Sequence, residues 1–127
     1  MNLPNQGFEF HAIVRPAAGE AGTVATGFSK SYETVAESLA EIPRLYIEPD
    51  GSFVWVSSED VARKINGQVT DDGSQVMFVE FRGRALQKDI DPILSTLRDP
   101  VTDLQVQLLP GGEIIDESAF IEKLNSA

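Results

Sequence analysis

The chain opens on alternation. In Phe8-Glu9-Phe10-His11-Ala12-Ile13-Val14 the residues Phe8, Phe10, Ala12 and Val14 fall on one side at period two, which predicts a strand. A weaker strand pattern covers 23–28, after the small-residue stretch Ala17-Ala18-Gly19-Glu20-Ala21-Gly22, which reads as a loop. The period then changes to that of a helix over 31–42. Tyr32, Val35, Ala36, Leu39 and Ile42 make one stripe, while Glu33, Glu37 and Glu41 face away from it. Ser29 or Ser31 can accept a free N–H of the first turn, and Pro43 ends the helix because the residue before a proline avoids the helical region.

Two segments of like shape follow. Glu48-Pro49-Asp50-Gly51-Ser52 and Thr70-Asp71-Asp72-Gly73-Ser74 each set residues suited to a type I turn before a glycine, the sequence of a short hairpin loop with the glycine in a left-handed bulge position. With Glu48 facing Ser52, Ile47 pairs Phe53, Leu45 pairs Trp55, and Tyr46 pairs Val54 on the other face. With Thr70 facing Ser74, Gly67 lies opposite Met77, Ile65 opposite Val79, and Lys64 opposite Glu80. The hairpins thus span about 44–57 and 63–83, and 58–62 reads as a loop or single turn leading into a strand.

A helix over about 89–98 carries Ile90, Ile93, Leu94 and Leu97 on one stripe. Pro92 belongs in a first turn, so the cap is expected near Lys88 or Asp89. Asp103-Leu104-Gln105-Val106-Gln107-Leu108 alternates as a half-buried strand, Pro110-Gly111-Gly112 turns the chain, Ile114-Ile115 pairs briefly, and Asp116 caps a last helix over 116–125. The expected fold is a single α+β domain over 1–127. It is a mainly antiparallel sheet built on two consecutive hairpins, with two to three helices segregated around it.

Composition narrows the chemistry. The chain has 127 residues, no Cys, one His and a formal charge of −10. Without thiols there is no disulfide framework, zinc ribbon or cysteine nucleophile, and one imidazole excludes sites built from two. The charge has the wrong sign for general binding to a phosphate backbone, so no nucleic acid partner is expected. No apolar run is long enough to cross a bilayer, and neither a secretory signal nor a lipidation box is present; the expectation is a soluble cytoplasmic protein with no membrane partner. Phosphate loops, the nucleophile elbow and the calcium loop are also missing, and no cofactor or metal is implied. His11 faces outward with Glu9 and Arg15 and reads as a surface histidine paired with a carboxylate. Glu80 reads as the cross-strand partner of Lys64. Half of the ten basic residues, Arg63, Lys64, Arg82, Arg84 and Lys88, cluster on or after the second hairpin, where a solvated face or a dock for an anion or acidic peptide is expected.

The outward face of the two hairpins is not purely polar. Tyr46, Val54, Val56, Val76 and Phe78 lie there among Arg44, Lys64, Asn66, Gln68, Glu80 and Arg82. The N-terminal strand, a helix or a second subunit could cover it. The functional expectation is a non-catalytic binding domain that meets a protein partner, or a second copy of itself, through Tyr46, Val54, Val56, Phe78 and Arg82. In outline, the small acidic build and the order helix, strands, helix, strand, helix resemble bacterial secretion chaperones, with no motif in common. The alternative is a small-molecule binder or enzyme with a pocket between curved sheet and helix, for which Trp55, Tyr46, His11 and Glu80 are the residues of interest.

Overall fold

The turn chemistry fixes where the sheet folds back on itself. In the computed structural model, which describes residues 8–17, 27–98 and 103–125, Gly51 and Gly73 take φ of +89° and +95°, the region that side chains other than glycine's disfavour. The Gly51 N–H donates to the Glu48 carbonyl at 3.0 Å, and the Glu48 N–H donates to Ser52 at 2.8 Å. The Asp50 carboxylate accepts the Ser52 N–H at 2.9 Å and its hydroxyl at 2.6 Å. In the second turn the Asp72 carboxylate accepts the N–H groups of Ser74 and Gln75, each at 2.9 Å.

The elements are β1 (Phe8–Pro16), α1 (Tyr32–Ala40), β2 (Leu45–Ile47), β3 (Ser52–Val56), β4 (Lys64–Asp71), β5 (Val76–Ala85), α2 (Gln87–Ser95), β6 (Leu104–Leu108), β7 (Ile114–Asp116) and α3 (Glu117–Asn125). The strands form one seven-stranded sheet in the order β2-β3-β4-β5-β1-β6-β7, every neighbouring pair antiparallel. This is the α+β fold expected. β1 is an interior strand between β5 and β6, so it completes the sheet and does not cover it. Of the weak strand pattern over 23–28, residues 23–26 lie outside the described residues, and Gly27 and Phe28 are not in a strand.

The first hairpin has the expected register, with Leu45, Tyr46 and Ile47 facing Trp55, Val54 and Phe53. The second does not. Ile65 faces Gly83, Gly67 faces Phe81, Gln68 faces Glu80 and Val69 faces Val79, four residues along from the expected pairing. Two glycines explain the choice. Gly83 passes so close to β4 that an added Cβ would lie 1.9 Å from the Lys64 carbonyl, and the Phe53 ring fills the space a Cβ would take at Gly67. The loop closes instead between Asp72 and Gln75, and a bulge between Thr70 and Asp71 absorbs one extra residue, Met77. Four is an even shift, so most side chains keep their face. Beyond the bulge they exchange: Val76, expected outward, is buried, and Met77, expected opposite Gly67, is only half-buried.

Ser31 caps α1 by accepting the Thr34 N–H at 3.2 Å, and Val35 and Leu39 face the core. α2 starts at Gln87, before the expected cap, because the Asp89 carboxylate reaches back to the Leu86 N–H at 2.9 Å; Pro92 consequently lies beyond the first turn. Asp116 caps α3 through the Ala119 N–H at 2.7 Å. The buried side chains of all three helices join one core with the inward faces of the strands, including an edge-to-face contact of Phe10 and Phe120. All three helices therefore cover the same face of the sheet.

Candidate functional site

Strand pairing and alternation define the opposite face as rows of side chains. One row runs Tyr46, Val54, Asn66, Arg82, His11 across β2, β3, β4, β5 and β1. The next runs Ser52, Gln68, Glu80, Ile13, Gln107, Ile114 from β3 to β7. Among the described residues no helix packs on these rows. Tyr46 is 65% exposed, and Val54, Val56 and Phe78 are each half-buried.

The residues expected to form one binding patch divide into two places. Tyr46 and Val54 are direct cross-strand partners, with Val56 two residues further along β3, so these three make an apolar corner at the β2 edge. Arg82 continues the Tyr46 row beyond Asn66. Phe78 stands apart, four residues along β5 from Arg82, between Thr70 and the Arg15 guanidinium, which lies 6.0 Å from its ring centroid. Val76 has left this face altogether. The apolar surface is therefore broken by a polar centre of Asn66, Gln68, Glu80, Arg82 and His11.

At that centre His11 Nε2 lies 2.5 Å from Glu80 Oε2, so the histidine does pair with a carboxylate, though with one expected to face Lys64. Glu80 is not the partner of Lys64; the register places Lys64 opposite Arg84, whose guanidinium donates to Glu9 at 3.1 Å. A shallow depression of about 220 Å³ between β4 and β5 is lined by Asn66, Gln68, Glu80 and Arg82, and one of about 520 Å³ lies beside it between His11, Arg82 and Pro110. On β1, β3, β4 and β5 the outward positions carry four cations, Arg15, Lys64, Arg82 and Arg84, against two carboxylates, Glu9 and Glu80. The face is locally positive on a chain of net charge −10.

Of the residues singled out for a ligand pocket, only His11 and Glu80 meet. Trp55 is buried on the helix side of the sheet, and Tyr46 is exposed at its far edge. Sequence reasoning also misplaced Arg63. It is 1% exposed on the helix side, its Nε donating to Asp89 at 2.7 Å and a terminal nitrogen donating to Glu59 at 2.7 Å, while Lys88 lies 2.7 Å from the same Glu59 oxygen. The signal was present in the alternation, since Arg63 shares the parity of inward-facing Ile65. Comparison with protein-family models, curated proteins and solved structures finds no match to this chain.

Proposed function

We propose that the chain is a non-catalytic interaction domain, and that it docks a partner segment carrying acidic and apolar side chains on the open face of its sheet. The observation that carries this reading is the placement of all three helices on one face, with a locally cationic face left on the other. Charge complementarity selects the partner. Lys64 and Arg82 have no ion-pair partner among the described residues, and they flank the apolar corner of Tyr46, Val54 and Val56. An acidic side chain over Arg82 and an apolar one over Val54 would sit two strand spacings apart, roughly 10 Å. A second copy of the chain would bring its own cations against these and is disfavoured as the occupant.

Titration of the labelled protein with a synthetic peptide alternating Glu with Leu and Phe tests the reading by NMR. Shifts centred on Tyr46, Val54 and Arg82, abolished by Lys64→Glu with Arg82→Glu, are expected. Light scattering should report a monomer. No shift at millimolar peptide would end the proposal, and a dimer broken by Tyr46→Arg and Phe78→Arg would assign the face to a second copy.

A further inference from the structure

On the helix side of the sheet, apart from the face just described, a pocket of about 360 Å³ opens at the start of α2. Trp55, Ile42 and Pro92 form apolar walls, and Arg63 and Lys88 supply positive charge. Arg44 stands at the rim in a left-handed backbone conformation, φ +67°, held by its Nε donating to the Val56 carbonyl at 2.9 Å. Two carboxylates answer these cations, and they are held very differently. Asp89 is buried, accepts two nitrogens of Arg63, and also caps α2. Glu59 is 57% exposed, comes from the loop between β3 and β4, and lets one oxygen take both Arg63 and Lys88.

The point where those two cations converge is an anion position. Asp89 already neutralises the buried guanidinium, so Glu59 can leave without stranding a charge in the core, provided another anion takes its place. The Lys88–Glu59 pair is exposed on both sides and contributes little to stability, and the incoming carboxylate replaces the Glu59 contact to Arg63. We infer that this pocket binds a carboxylate carried on an apolar body, and that Glu59 is the internal anion such a ligand displaces. The carboxylate takes the place of the Glu59 oxygen between Arg63 and Lys88, and the apolar body rests on Trp55. The volume suits one aromatic ring or a short aliphatic chain, at the small end of the range for ligand pockets. A free small acid and the C-terminal end of a peptide share this chemistry.

Trp55 is the single tryptophan of the chain, so its emission reports on the pocket directly. The probes are 3-phenylpropionate and a tetrapeptide ending in a free leucine carboxylate, each with its amide as the uncharged control. Both the parent protein and Glu59→Gln are titrated, after a urea midpoint shows that the variant is folded. At least one acid should bind, about tenfold more tightly to Glu59→Gln, the scale of one charge-assisted hydrogen bond no longer contested. Binding of phenylpropionate alone assigns a small acid, and binding of the peptide alone assigns a chain end. Lys88→Gln should weaken the parent's affinity, which decides the matter even if Glu59→Gln fails to fold. Amides binding as well as acids, no gain in a folded Glu59→Gln, or no change in emission up to about 10 mM acid would overturn the inference.

Discussion

The sharpest constraints in this molecule act on single residues. Gly83 and Gly73 both have positive φ, but they differ in what surrounds them. A Cβ at Gly83 would press into the backbone of β4, whereas at Gly73 nothing lies within 4 Å. Gly73→Ala should therefore cost about 1 kcal/mol of backbone strain, and Gly83→Ala about 3 kcal/mol or more as the β4–β5 ladder parts. Urea denaturation of the two variants measures the difference, and equal losses would mean that β4 and β5 do not approach there. Arg63 and Asp89 pose the same kind of local question. Asp89→Ala should cost about 3–5 kcal/mol, because it leaves a buried guanidinium dependent on Glu59 and removes the acceptor of the Leu86 N–H. Combined with Arg63→Met, much of that loss should return, since an apolar side chain needs no counter-ion. A double-mutant cycle by urea denaturation gives the coupling.

Pairing between elements was only partly legible. The first hairpin could be read because its turn and its apolar pattern specify one register. In the second, the turn motif marked the loop but not its closing pair, which is Asp72 with Gln75 and not Thr70 with Ser74, and alternation is blind to a slip of four residues. What decides between the registers is non-local: the close approach of Gly83 to Lys64 and the Phe53 ring over Gly67, neither visible until three strands are in place. Likewise the start of α2 depends on Asp89 turning back to Leu86, a contact that outweighed the preference of Pro92 for a first turn. The outward residues of the site were legible one by one from parity, whereas the break between the apolar corner and Phe78 needed the register. The chain has no cysteine, so introduced thiols test it cleanly. Gln68→Cys with Glu80→Cys should form a disulfide under mild oxidation, as directly opposed Cα atoms lie about 4.5–5.5 Å apart. Lys64→Cys with Glu80→Cys should stay reduced, its sites roughly 13 Å apart along the strands. Mass spectrometry of the non-reduced proteins distinguishes the two cases.

Over the whole molecule, carboxylates in three loops and one tyrosine shape the dependence of stability on pH, and the β2–β3 turn takes part at both ends of the scale. Asp50 is held below the usual carboxylate range by its hydrogen bonds from the Ser52 hydroxyl and N–H. Asp72 is lowered by the N–H groups of Gln75 and Ser74, and Glu59 by Lys88 and then Arg63. A carboxylate lowered on folding contributes stability above its unfolded value, about 4, and loses it as the pH falls through the folded one. Tyr32 has the opposite sign. Partial burial raises its pKa first, and the charges of Asp50, Asp71 and Glu33 add to the effect. Its hydroxyl donates to the Pro49 carbonyl at 3.1 Å, tying α1 to the β2–β3 turn that Asp50 shapes. Its contribution is full below the unfolded value, about 10, and is lost as the pH rises through the folded one. The urea midpoint should therefore hold a plateau through neutral pH and fall on both sides. Asp50→Ala should flatten part of the acid limb and, by removing one of the charges that raise Tyr32, a smaller part of the alkaline limb, whereas Tyr32→Phe should flatten the alkaline limb alone. If the two substitutions shift the whole curve without changing its shape, the turn at Glu48–Gly51 does not set the limits of stability, and the charged groups of the other loops must.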